Sequence, residues 1–138
     1  AWHLTMNFNL SHTSICVVLC RQTYGITEKL SAISPSQCYI SEVTIAELKY
    51  GAYKSNRTED NLRLVDQLVS EVNVVPFAES IEFFAKEKTR LRAMGTPVED
   101  FDLLIASAAV QHGLTLVTDN TKHFKNIQGL SMENWVER

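Results

Sequence analysis

The sequence lacks every short signature that would give away its chemistry. It has no P-loop, no GxGxxG, no GxSxG, no HExxH and no CxxC. Those absences remove the phosphate cradle, the dinucleotide turn, the serine nucleophile elbow, the helical zinc site and the redox dithiol. Cysteine is scarce: Cys16, Cys20 and Cys38 are odd in number and lack metal-ligand spacing. Cys16 and Cys20 stand four apart in an apolar stretch, which reads as buried free thiols in a reducing, cytoplasmic setting. No apolar run is long enough to span a bilayer, so no membrane role is expected. There is no internal repeat, low-complexity tract or linker, and 138 residues suit one core. A basic excess is also missing. The net charge of −3 argues against a broadly basic nucleic-acid binder and leaves a local patch open. AWHLT (1–5) does not resemble a signal peptide and reads as an added remnant with Met6 as the native start, giving a single domain over residues 6–138.

What is present is a regular alternation. Residues 7–11 suit a first strand. SICVVLCRQ, from Ser14, reads as a short buried helix and ITEKLSAIS as a second, amphipathic one. QCYIS (37–41) has strand length and composition. It runs into a helix that Ser41 or Glu42 starts, with Val43, Ala46 and Tyr50 at helical spacing. Thr58 to Val72 carries a helical stripe of Leu62, Leu64, Val65, Leu68 and Val69, and VNVVPF (72–77) is a β-branched run stopped near Pro76. ESIEFFAKEKTRLRAMG is a helix closed by Gly95. Glu99 or Asp100 opens the next, which ends at His112-Gly113. LTLVT (114–118) is an apolar strand, DNTKHF a turn and LSMENW an edge strand. Helices alternating with short strands predict an α/β fold, a three-layer α/β/α sandwich around a mostly parallel sheet. In such folds ligands sit beyond the carboxyl ends of the strands. His12, Glu42 and Glu47, the acids at 99–102 and Asp119 all follow predicted strands or lie in the helices those strands lead into.

Glu47 lies among Val43, Ile45, Ala46 and Leu48. An unpaired carboxylate buried there costs several kcal/mol, so Glu47 faces a cation, a metal or a wet cleft. The alternative is a surface position beside Tyr50 or Lys54. Asp100 and Asp102 flank Phe101 ahead of the apolar LLIASAAV. First-turn acids can be plain helix-start chemistry. One acid is enough for a cap, however, and extra carboxylates there repel one another unless a cation joins them. Asp119 and Asn120 are ordinary turn residues that could also offer oxygens. A carboxylate-rich site without His or Cys clusters favours Mg²⁺ or Mn²⁺. KEKTRLR (86–92) carries Lys86, Lys88, Arg90 and Arg92 at i,i+4 spacing, either a solvated face or a grip on phosphates. A phosphoacceptor domain also places acids at strand ends. It wants a lone Asp after a central strand, where this chain has Glu42.

Taken together, HTSIC (12–16), YISEVTIAELKYGAYKS (39–55), RLRAMGTPVEDFDLLIASAAVQHGLTLVTDNTKHF (90–124) and GLSMENW (129–135) resemble the PIN domain. More narrowly they resemble VapC, the toxin of a type II toxin–antitoxin pair. The resemblance implies a divalent-metal ribonuclease cleaving RNA, often a particular tRNA. It implies a homodimer in the cytoplasm, held inactive by a VapB-like antitoxin. The family's second acid matches Glu47 and its third Asp102, with Asp100 near it. Asp119 or Asn120 supplies the fourth oxygen, Thr118 helps hold the turn, and Thr13 and Ser14 contact the phosphate or orient ligands. The first acid is missing. Where the family pattern reads L-D-T-N/S-I-C, this chain has Leu10-Ser11-His12-Thr13-Ser14-Ile15-Cys16. His12 offers one softer nitrogen and no charge, which weakens Mg²⁺ binding and leaves transition metals as partners. The alternative is a catalytically impaired protein that acts only by binding antitoxin or itself.

Overall fold

The computed structural model describes residues 3–6, 9–11, 38–118 and 121–133. The two helices expected between residues 14 and 34 lie outside these residues, as do His12, Thr13, Ser14, Asp119 and Asn120.

Five short strands form the parallel part of one sheet: β2 (Asn9–Ser11), β3 (Cys38–Ser41), β4 (Asn73–Val75), β5 (Thr115–Thr118) and β6 (Ser131–Glu133). Pairings join β4 to β3, β3 to β2, β2 to β5 and β5 to β6, every one parallel. A further strand, β1 (His3–Met6), runs antiparallel to β3 and β5. The residues read as an added remnant supply three of its four positions. Parallel neighbours cannot be joined by a tight turn, so long connections must carry the chain back. β2 pairs Leu10 with Tyr39 of β3 on one side and with Leu116 of β5 on the other. The chain first proceeds to β3 and β4, then returns to β5 and β6 across β2. That reversal opens a crevice beyond the carboxyl ends of the strands.

The four described helices are α1 (Glu42–Lys54), α2 (Thr58–Glu71), α3 (Ile81–Ala93) and α4 (Asp100–Gln111). Ser41 is the one that starts α1: its Oγ accepts from the Val43 N–H at 3.0 Å. Glu42 is thereby freed to accept from the Phe77 N–H at 2.9 Å, tying the helix start to the loop after β4. The face that α1 buries carries Thr44, Leu48 and Ala52. The Val43, Ala46 and Tyr50 repeat is the neighbouring stripe, and Tyr50 is 67% exposed. Both stripes have helical spacing, so periodicity fixed the helix but not its rotation.

α4 is the buried centre. Leu103, Ile105, Ala106, Ser107, Ala108 and Ala109 are all sealed from solvent, as expected of a helix apolar on nearly every side. Its one buried hydroxyl, Ser107, donates to the Leu103 carbonyl at 2.6 Å. Leu91, Leu114, Leu116, Val75, Phe124 and Ile127 complete the core around it. Both α3 and α4 end in the same motif. Gly95 and Gly113 sit at φ 73° and 66°. The next residues, Thr96 and Leu114, donate back to Leu91 and Ala109 at 2.9 and 2.8 Å. These are Schellman closures, in which glycine takes the left-handed position without a Cβ penalty.

Candidate active site

The buried character of α4 fixes the position of Asp102. Asp102 stands in the first helical turn, one residue before the sealed Leu103, and only 8% of it is exposed. Burial disfavours a bare carboxylate, while the free N–H groups of the first turn favour it. The acids at 99–102 are not simple caps: Glu99 occupies the cap position and makes no side-chain capping bond. Asp100 and Asp102 also do not share a direction. Two residues apart on a helix is about 200° of rotation, so they point to opposite sides. Asp100 is exposed and pairs with Lys88 of α3 at 2.9 Å. The structure therefore brings Asp100 to the α3 rim rather than beside Asp102.

Glu47 lies in α1, which follows directly from β3, beside the buried Leu48. It is half-buried, and its Oε1 is shielded from solvent. The surface alternative does not describe it. Lys54 instead lies over the Tyr50 ring at 5.7 Å, and Lys49 reaches Asp66 at 3.4 Å. α1 and α4 pack together. Glu47 and Asp102 thus occupy two helices that pack together, one following directly from β3 and the other leading into β5. Thr118 is the last residue of β5, and Ser11 the last of β2. The chain continues from these ends to Asp119 and His12, which lie outside the described residues.

One neighbour of Asp102 was not expected. His123, in the 3₁₀ turn Thr121–Phe124, places Nδ1 3.8 Å from Asp102 Oδ2. Nothing in its spacing singles it out. The only hint is its place four residues after Asp119, beside Phe124, which the core swallows whole. Among the described residues, no three His, Cys, Asp or Glu side chains converge closely enough to hold a metal ion.

The basic run of α3 divides in two. Lys86 and Arg92 are exposed, as a phosphate contact requires. Arg90 is not available for that use. Its Nε and Nη2 donate to Glu87 Oε1 and Oε2 at 2.9 and 2.6 Å, and Nη2 also reaches the Asn126 carbonyl at 2.6 Å. Glu87 additionally accepts from the Gln128 N–H at 2.8 Å. This pair clamps the 126–128 segment, just ahead of β6, onto α3. The Arg90 hydrogen bonds hold the Glu87 carboxyl below its ordinary value of 4.5, against the opposing pull of burial. Sequence spacing showed the i,i+3 relation but not that Glu87 would be only 4% exposed.

Comparison with known proteins bears on what this geometry serves. The family model described as PIN domain matches residues 13–130. The tRNA(fMet)-specific endonuclease VapC of Shigella flexneri is 33% identical over 124 residues, covering 89% of this chain and 94% of that protein. Ribonuclease VapC2 of Rickettsia felis is 40% identical over 97 residues, covering 70% of this chain and 72% of that protein. Among solved structures, the DNA-bound VapBC of Salmonella typhimurium superimposes with a TM-score of 0.83 at 31% identity, over 91% of this chain and 96% of that one. No described helix is long and apolar enough to cross a membrane.

Proposed function

The chain belongs to the PIN-domain family and, within it, to the VapC type, and from that premise we propose that it is a metal-dependent endoribonuclease toxin. The observation that carries the reading is the pairing of topology with carboxylates. Asp102 is a buried acid at the mouth of the central helix, and Glu47 is a half-buried acid on the helix packed against it. Open α/β sheets take ligands in the crevice beyond their strand ends, and we assign both acids to it.

Hard carboxylate oxygens in a partly buried crevice fit Mg²⁺ or Mn²⁺. Glu47 and Asp102 would hold the ion, with Asp119 and His12 the next candidates along the chain. Such an ion supplies activation of water and neutralisation of phosphate charge during phosphodiester hydrolysis. The residues of the chain have separate tasks. Asp102 is kept in place by the apolar turn behind it. Lys86 and Arg92 offer positive charge to the RNA backbone, while Asp100 neutralises Lys88 and trims that patch. Thr13, Ser14, Thr118 and Asn120 are the candidates for orienting ligands and the scissile phosphate. RNA is the substrate, with tRNA the class favoured by the Shigella flexneri relative. A VapB-like antitoxin is the partner favoured by the VapBC complexes, and the toxin acts as a homodimer in the cytoplasm.

A second reading rests on His12. Replacing an acid by a neutral imidazole removes one charge from the cation site, and a protein so altered would bind antitoxin without cutting RNA. RNA cleavage with Mg²⁺ and with Mn²⁺, beside a His12→Asp variant, decides between the two. Cleavage by the chain as it stands supports the nuclease. Cleavage by His12→Asp alone supports the binding form. If neither cuts, or if Glu47→Gln leaves cleavage unchanged, the proposed site is incorrect.

A further inference from the structure

We propose that the cleft between α3 and α4 takes one nucleotide of the RNA strand, with Arg92 and Lys88 on its phosphate and Asp100 as the carboxylate that this phosphate displaces. The inference rests on the ribonuclease reading above and adds a subsite that reading does not contain. The cleft has a volume of about 270 Å³. That is slightly below the roughly 300–1,000 Å³ of sites for drug-sized ligands, which leaves room for one nucleotide rather than a protein segment. Its floor is apolar. Leu91 and Leu103 are sealed from solvent, and Pro97 and Val98 stand beside them. Apolar side chains of this kind pack against the faces of bases. Leu103 directly follows Asp102, so the cleft and the candidate site are built on the same turn of α4.

The charged groups of the lining suit a nucleotide better than a purely apolar ligand. Arg92 is exposed along the cleft, and no carboxylate among the described residues engages it. Lys88 also lines the cleft, 2.9 Å from Asp100, with its ammonium 5.8 Å from the centre of the Phe84 ring. The Asp100 side chain is 61% exposed, and ion pairs this exposed contribute little. A phosphate can therefore take Lys88 over from Asp100 at small cost. Glu99 is exposed and makes no capping bond, so its carboxylate is an acceptor for the N–H donors of a base edge. Asp100 in this arrangement tunes RNA affinity through Lys88.

Fluorescence anisotropy with a labelled single-stranded oligoribonucleotide tests this on the full chain, in EDTA so that binding is read without metal-dependent cleavage. Far-UV circular dichroism confirms that each variant is folded. Arg92→Gln should weaken RNA binding about fivefold or more and lower the slope of log affinity against log salt by about 0.7, one phosphate contact on a single strand. Arg63→Gln removes the same charge from the exposed face of α2 and should change affinity by less than about twofold. Asp100→Asn should tighten binding by about twofold to threefold, because Lys88 no longer has a competing carboxylate. If Arg92→Gln behaves as Arg63→Gln does, if Asp100→Asn binds no tighter than the unaltered chain, or if the unaltered chain binds no RNA in EDTA, the subsite is overturned. Cleavage with Mn²⁺ is read separately, and it upholds the ribonuclease reading even where the subsite fails.

Discussion

Replacing Glu87 with Ala should be among the most damaging single changes outside the apolar core. Glu87 accepts three hydrogen bonds, two from Arg90 and one from the Gln128 N–H. Removing one partner of a buried ion pair costs about 3–5 kcal/mol, because the other charge is left behind. Two features reduce that figure here. Arg90 is 33% exposed and can recover some water, and it keeps the Asn126 carbonyl at 2.6 Å. A loss of about 2–3 kcal/mol follows. At about 2.1 cal/mol/K per residue, unfolding a chain of 138 residues carries an entropy near 0.3 kcal/mol/K. The expected fall in Tm is therefore about 7–10 °C. Urea unfolding followed by far-UV circular dichroism measures the loss directly, with an unchanged m-value. The double variant Glu87→Ala/Arg90→Met removes the stranded charge, so it should be less damaged than the sum of the single changes by about 1–2 kcal/mol. A Tm drop below about 2 °C, or strict additivity, would refute the clamp.

Further outcomes follow from the same structure. The Glu87 carboxyl is lowered from its ordinary 4.5 by Arg90, so its contribution is complete above that value and is lost as pH falls through the folded-state pKa. The stability gap between the unaltered chain and Glu87→Ala should therefore shrink in acid, and urea midpoints at neutral pH and near pH 3 check this. Ser41→Ala removes the acceptor of the Val43 N–H and should cost about 1 kcal/mol by urea unfolding. Gly113→Ala meets no atom within 4 Å, but its φ of +66° remains. A loss of about 1 kcal/mol, read in the same way, would reflect backbone strain alone.

Much of the architecture was legible because local signals agreed with the fold. The run LLIASAAV, apolar on all sides, announced a helix that only a core could hold, and Gly95 and Gly113 marked where two helices stop. Strand LTLVT and edge strand LSMENW were visible from composition and turn chemistry. Rotation was harder to read. Two stripes of α1 have the same spacing, and only tertiary packing chose Thr44, Leu48 and Ala52 over Ala46 and Tyr50. The candidate site was half legible for a similar reason. Glu47 and Asp102 stood out as acids embedded in apolar helices, a conflict visible in sequence. Asp100 was read as an accessory beside Asp102, but helical rotation separates them. Arg90 looked like a free cation until Glu87 and Asn126 claimed it. His123 was silent, since its place beside Asp102 depends on how the Thr121–Phe124 turn folds against α4.

The central claim is that Asp102 carries an RNA-cleaving metal site. Its most direct test is the rate of RNA cleavage by the chain and by Asp102→Asn, in Mn²⁺ and in EDTA, with folding of the variant confirmed. The account predicts Mn²⁺-dependent cleavage that EDTA abolishes and that Asp102→Asn lowers by about a hundredfold or more, the cost of about 3 kcal/mol of transition-state stabilisation. Full activity in Asp102→Asn, or cleavage that persists in EDTA, would contradict it.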